Sequence, residues 1–292
     1  MYPAVSPCPA DLTSSPLRGS LARLNHRGST MTASLGALRR RDLELLFGRC
    51  PEGVFAQALE LGAGDGCQSE FLSHYCRRLL CTEYNEARLQ RRSLPGVEYA
   101  VLDATDLTSL PEASFDLIFS SNLLEHLPEV EQVLVGLRRL LAPGGLALHC
   151  LPNPTWKALQ FGLYPAMKAR ALAWRLGLGT PHRSPAGQVG NNPSTGTVQR
   201  SRGLDRLLPA HGQSGDTLAE FRLFSRSSWR STFASAGYTL LHERELQFHS
   251  PYRLGCPEIL RRGLSGLGLA CSTAYILAPG NEVPANALHL LP

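Results

Sequence analysis

The stretch "LELGAGDGCQSEFLSHYCRRLLCTEYNEARL", Leu59 to Leu89, carries the residues most suited to chemistry. Gly62, Gly64 and Gly66 stand directly behind an apolar run, Glu60 precedes them, and Glu83 closes a second apolar run. Glycines at the boundary between a strand and a helix let the chain turn sharply and let a ligand touch backbone, while free N–H groups of the following turn face an anionic group, carboxylate or phosphate. At the end of the next strand, Glu83 offers two oxygens that accept both hydroxyls of a ribose and repel a 2′-phosphate. The spacing is G-x-G-x-G, not the G-x-G-x-x-G of dinucleotide sites, so a nucleoside is expected and a dinucleotide is not. Two duller readings stand beside this one: a turn required only for packing, and a Glu83 that pairs with a nearby arginine.

The elements around these residues alternate. From Phe55 the runs "FAQALELG", "LLCTEY" and "VEYAVLDA" are separated by a helical pattern through Phe71 and Tyr75 and another around Ala87. "FDLIFSSN", a leucine-patterned helix from Pro128 to Leu141, a "PGG" stop and "LALHCLP" follow. Near the C-terminus "SRSSWRSTFASAGY" reads as a helix, and "TLLHERELQF" and "STAYILAP" as strands. The pattern predicts an α/β fold, a doubly wound, mostly parallel seven-stranded sheet whose last pair is antiparallel. A helix over 34–47 leads in, with leucines 35, 38, 45 and 46 on one face. The expected division is a flexible tail over 1–30, a ligand-binding core over 31–151, an irregular insertion or substrate lid over 152–216, and completion of the sheet over 217–285.

A chain of 292 residues, 43% of them hydrophobic, can bury a real core, and its formal charge of +5 is too mild and too scattered to indicate nucleic acid. The eight cysteines show no C-x-x-C pair or metal-ligand spacing, so no metal is expected and the thiols read as buried or incidental in a reducing compartment. The N-terminus lacks a charged region followed by an apolar stretch, and no run is long enough to span a bilayer. A soluble cytoplasmic protein is expected.

Four segments in series give a resemblance: "LELGAGDG", the acidic strand end at Glu83, "LDATDL" at Leu102 to Leu107, and "FDLIFSSNLLEHLPEVEQVLVGLRRLLAPGGLALHC". Together they resemble the class I S-adenosylmethionine-dependent methyltransferases, within them a bacterial small-molecule group, over roughly residues 54–152. The resemblance implies S-adenosyl-L-methionine as cofactor and a Rossmann-like sheet. It implies that Glu60, Gly62, Gly64 and Gly66 form the loop under the methionine and ribose parts, and that Glu83 holds the ribose hydroxyls. Asp103 would accept from the adenine amino group with Ala104 offering backbone beside the ring, and Asn122 would lie near the methionine moiety. Asp103 as a helix cap is the plainer alternative.

A hydroxyl acceptor would need a base, and a histidine suits that task. His126 in "LLEHLPE" follows the fourth strand and is the first candidate, with orientation of the loop as its structural alternative. His211, accompanied by Glu220 in "LPAHGQSGDTLAEFRLF", is the second, because relatives carry a similar histidine on the substrate side. Between Pro152 and Asp216 eight basic residues, among them Lys157, Lys168 and Arg183, face two acids, Asp205 and Asp216. That balance suits an anionic or lipid-linked small-molecule acceptor. Residues 156–178 mix aromatics with cations, which suits either peripheral membrane contact or a lid helix covering the site. Two other functions remain in view: an NAD-dependent oxidoreductase, and a non-catalytic binding protein on the same fold.

Overall fold

The computed structural model describes residues 35–176, 221–249 and 257–292. Helix α1 (Leu35–Phe47) precedes β1 (Phe55–Leu61), a single-turn helix α2 (Ser69–Leu72), β2 (Cys76–Glu83), β3 (Val97–Val101) and β4 (Phe115–Ser121). A 3₁₀ turn (Leu124–His126), α3 (Val130–Leu140), β5 (Leu141–Pro152) and α4 (Pro154–Arg175) follow. The last described elements are α5 (Arg226–Ser235), β6 (Thr239–Glu245), α6 (Glu258–Gly266), β7 (Ser272–Ala278) and a 3₁₀ turn (Ala285–His289).

The strands form one seven-stranded sheet in the order β3-β2-β1-β4-β5-β7-β6. Strands β1 to β5 pair in parallel, and β7 runs antiparallel to both β5 and β6. A single reversed strand therefore makes both antiparallel pairings. From β1 the chain winds outward to β2 and β3, then returns across β1 to β4, so the winding reverses between β1 and β4. Ligands bind in the crevice beyond the strand ends at such a reversal.

Alternation along the strands builds a core on each face of the sheet. Leu59, Leu61, Ala147, Leu151, Tyr275 and Leu277 join α3 and α5 residues such as Leu137 and Phe233 on one side. Ala58, Leu148, Cys150, Ala274 and Ile276 join Leu43, Leu46 and Phe47 of α1 on the other. The inward stripe of α1 is thus Leu43, Leu46 and Phe47, at helical spacing, whereas Leu45 is exposed. Side chains from the far end of the sheet tie α1 down: Gln247 Nε2 donates to Leu38 O (3.0 Å) and Asp42 Oδ1 (2.9 Å), and Arg244 Nη1 donates to Leu45 O (2.6 Å).

Two local expectations are corrected. The segment around Ala87 is a turn, not a helix: Arg88 N bonds Asn85 O (2.9 Å) and the Asn85 side chain takes the Ala87 N–H (2.9 Å). Pro95 then disfavours helix at Leu94, and Gly96 turns into β3 with φ +72°. The "PGG" run does not end α3 as a separate loop; it lies inside β5 as a bulge, where the register against β4 jumps from Phe115↔Leu141 to Leu117↔Leu146. Within 152–216, residues Pro154–Arg175 form the 22-residue helix α4, and 177–216 lies outside the described residues.

Candidate cofactor and active site

The glycyl corner closes at the carboxyl ends of β1 and β2. Ala63 N donates to Thr82 O (2.9 Å), holding the corner against β2. Gly62, Gly64 and Gly66 have φ of +71°, +55° and +69°, a region that side-chain-bearing residues enter at a cost of about 1–2 kcal/mol. A Cβ on Gly62 would stand 3.2 Å from Leu123 Cδ1. Glu83, buried, accepts from Gly64 N through Oε2 (3.1 Å) and from Asn85 N through Oε1 (3.2 Å). Sequence neighbours cannot meet in this way, so strand pairing supplies the contact. It leaves each carboxylate oxygen a further lone pair for a ligand hydroxyl. Because α2 is only one turn long, the corner itself, not a helix end, provides the backbone groups.

Glu60 faces another way. Its buried carboxyl accepts from Ser69 Oγ and from Cys81 Sγ (3.4 Å), and burial pushes it up to about 7. It fastens the first residue of α2 to β1 and β2. Leu102 N donates to Glu83 O (3.1 Å), which brings Asp103 and Ala104 to the same end of the sheet. Asp103 is exposed, and its Oδ1 holds the Thr105 N–H (2.9 Å) and Oγ1 (2.7 Å). The side chain therefore closes a local turn and caps no helix, since none stands between β3 and β4. Ala104 is buried against the core.

Asn122 begins the segment after β4 with φ +51° and donates its N–H to Cys150 O (2.8 Å). Arg39 reaches it from α1: the guanidinium donates to Ser121 Oγ. With the Asn122 amide oriented to pair donors with acceptors, Asn122 Oδ1 also accepts from Arg39 Nη2 (3.2 Å). Next along the chain, Glu125 is enclosed on all sides with neither carboxyl oxygen hydrogen-bonded. Burial pushes it up to about 8, with its own backbone and the Arg39 charge pulling the other way. His126 Nε2 lies 3.7 Å from Glu125 Oε1; its side chain is 40% exposed, and burial together with Arg88 holds it below the usual histidine value. His211 and Glu220 lie outside the described residues.

The structure thus brings Gly62, Gly64, Glu83, Asp103 and Asn122 to one end of the sheet, points Glu60 into the protein, and adds Arg39 and Glu125. Arg39 is one of three consecutive arginines, indistinguishable by type from Arg40 and Arg41. Glu125 had only its adjacency to His126 as a signal. A corner without Cβ atoms, a carboxylate at the next strand end and polar groups after β4 fit an adenosine bearing an amino-acid arm, as S-adenosylmethionine does. Among the described residues no group of three or more His, Cys, Asp or Glu side chains is placed to hold a metal ion, and no helix is long and apolar enough to cross a membrane.

Comparison with known proteins agrees with this geometry. A family model described as a methyltransferase domain matches residues 59–149. A Mycolicibacterium smegmatis protein named "Probable S-adenosylmethionine-dependent methyltransferase" is 32% identical over 97 residues, 32% of this chain and 37% of the relative. Trans-aconitate 2-methyltransferase of Methylobacterium nodulans is 32% identical over 127 residues, 39% of this chain and 45% of the relative. The chain therefore spans less than half the length of these curated relatives. Among solved structures, an S-adenosylmethionine dependent methyltransferase from Mesorhizobium loti aligns over 81% of this chain and 97% of its own, with a TM-score of 0.50 and 19% identity, a likeness of fold. Residues 59–149 are thus similar to a methyltransferase domain, and the whole chain shares the fold of S-adenosylmethionine-dependent methyltransferases.

Proposed function

We propose that this protein transfers the methyl group of S-adenosyl-L-methionine to a small-molecule acceptor. The observation that carries the reading is the bond between the Glu83 carboxylate and the left-handed Gly64, which sets a ribose-sized acceptor of hydrogen bonds against an open backbone corner. When bound, S-adenosylmethionine supplies an electrophilic methyl on a sulfonium. Positioning and exclusion of water then provide most of the acceleration, so the chain needs no covalent intermediate.

His126 is the proton acceptor we assign for a hydroxyl acceptor. It follows β4, is partly exposed, and its depressed affinity for protons keeps it neutral at neutral pH. A His126→Gln variant should lose about 10²–10⁴-fold in kcat while binding the cofactor unchanged, together with the acid limb of the pH–rate profile. An unaltered profile would assign the residue to orientation of the loop instead.

The acceptor we favour is a sugar, glycan intermediate or natural-product-like molecule, with an anionic or lipid-linked group as its variant. The basic bias of 152–216 supports the anionic form. Peripheral membrane contact has less of 156–178 to work with. Trp156 is buried and packs on Phe224, and Lys157 is also buried, so the first turn of α4 is closed to such a surface, whereas Phe161 and Leu172 further along are exposed.

Calorimetric titration with S-adenosylmethionine and with NAD tests the reading: saturable binding of the first is expected, and binding of NAD alone rejects it. Glu83→Ala should weaken the cofactor by about 2–4 kcal/mol through loss of two charge-assisted bonds. Screening candidate acceptors for a mass gain of one methylene then identifies the substrate.

A further inference from the structure

Three arginines, Arg88, Arg91 and Arg92, stand in the segment that follows β2. The segment is fastened beside the glycyl corner: Gln90 N donates to Gly64 O (3.4 Å), Arg92 Nη2 donates to Asp65 O (3.4 Å), and Leu89 is buried. Two of the three guanidinium groups have carboxylates to answer them. Arg91 pairs with Glu86 (2.9 Å) and Arg92 with Glu70 of α2. Arg88 forms no ion pair with an acidic side chain among the described residues. Its Nη2 lies 3.7 Å from the position a Cβ would take on Gly64, and its charge acts on His126, whose affinity for protons is held down by burial first and Arg88 second. The corner after β1 and the proposed base after β4 thus share one cation, and that cation is exposed to solvent.

Such a placement conflicts with the charge of the methyl donor. S-adenosylmethionine brings a sulfonium into the crevice, and an unanswered cation at its mouth repels it unless an anion comes between the two. A guanidinium presents a planar fork of N–H donors that fits a carboxylate or a phosphate. We propose that Arg88 recognises the methyl acceptor, its guanidinium receiving an oxyanion of that molecule, carboxylate or phosphate, and so holding the acceptor beside His126. The assignment rests on the proposed methyl-transfer function and narrows its acceptor to an anionic small molecule. An anion on Arg88 shields the sulfonium from the guanidinium, so acceptor anion and methyl donor strengthen each other's binding by the same factor. The thioether left after transfer carries no sulfonium charge and gains less.

The test is calorimetry on the full chain with S-adenosylmethionine and S-adenosylhomocysteine, which differ by one methyl and one positive charge. Each is titrated in chloride, in inorganic phosphate and in succinate, at matched pH and ionic strength. Phosphate or succinate should tighten S-adenosylmethionine at least about threefold over chloride, and S-adenosylhomocysteine by less. A larger effect of phosphate marks a phosphorylated acceptor, and a larger effect of succinate a carboxylate one. Arg88→Gln should abolish the anion effect and, in chloride, shift the relative affinity of the two nucleosides toward S-adenosylmethionine. Arg91→Gln, which removes a guanidinium already paired with Glu86, should behave as the parent.

The assignment is overturned if neither anion tightens S-adenosylmethionine in the parent, or if Arg88→Gln keeps the effect. Loss of the effect in Arg91→Gln as well would assign it to the general charge of the segment and also overturn the proposal. Equal weakening of both nucleosides by Arg88→Gln, with the anion effect intact, would place Arg88 on the adenosine instead. In each of these cases saturable binding of S-adenosylmethionine leaves the methyl-transfer reading standing. Binding of neither nucleoside removes both.

Discussion

Gly64 and Glu83 stand 19 residues apart and meet at 3.1 Å, so the consequences of altering each differ in kind. A Cβ on Gly64 would have Arg88 Nη2 at 3.7 Å and Glu83 Oε2 at 4.0 Å as its nearest neighbours, ordinary contacts that demand no repacking. Gly64→Ala should therefore remain folded, losing about 1–2 kcal/mol to its left-handed backbone. The added methyl stands beside the carboxylate on which a ribose would rest, so S-adenosylmethionine affinity should fall at least about tenfold, a loss of 1.4 kcal/mol or more. Denaturant unfolding and calorimetry on the same preparation separate the two effects. Unchanged affinity would remove Gly64 from the cofactor site.

The bulge in β5 governs how the strand that carries Cys150 reaches the site. Gly145 sits where a Cβ would come within 2.7 Å of Phe115 O and 2.9 Å of Ala142 O, both backbone atoms of the β4–β5 pairing. Neither can move without breaking the register that aligns Ser121 with Cys150. Gly145→Ala is expected to destabilise the protein by roughly 1–3 kcal/mol, measured by urea unfolding. The adjacent Gly144, with φ +73° and nothing within 4 Å of its Cβ position, should lose only the backbone term on the same change. Equal losses at the two positions would mean that the close approach at Gly145 relaxes at no expense. Similar reasoning explains why α1 belongs to the site: Leu43, Leu46 and Phe47 anchor it in the core, and Gln247 and Arg244 fix its carbonyls, which leaves Arg39 little freedom at β4.

Across the whole molecule, buried ionisable groups set the pH dependence of stability. Glu60 and Glu125 are raised from 4.5 to about 7 and about 8 by burial, so the folded chain holds protons that the unfolded chain has already released. His149 and His249 are lowered from 6.5 to about 3 and about 4, again by burial, so as pH falls through 6.5 the unfolded chain takes up protons that the folded chain refuses. Around 6.5, where the unfolded histidines are half protonated, the two effects oppose each other. Between about 7.5 and 8 the histidines are largely neutral in both states and the carboxyls dominate, and because the folded state binds more protons there, stability falls as pH rises. The thermal midpoint of the free protein should decline over that interval, and Glu125→Gln should flatten the decline. A midpoint that climbs between about 7.5 and 8 would contradict the burial of both carboxyls.

Local pattern was enough to reveal the glycyl corner, Glu83 at its strand end, the succession of strands and helices, and the likeness of residues 59–149 to a methyltransferase domain, because each depends on residues close in the chain or on short periodicities. Folding alone settled the direction of Glu60, which its type left open and Ser69 decides; the antiparallel placement of β7 between β5 and β6; and the bulge that absorbs "PGG". It also chose Arg39 from three adjacent arginines and enclosed Glu125 beside it. Those outcomes rest on contacts between residues tens of positions apart, and side-chain type and spacing do not encode such contacts until the sheet has closed and α1 has packed upon it.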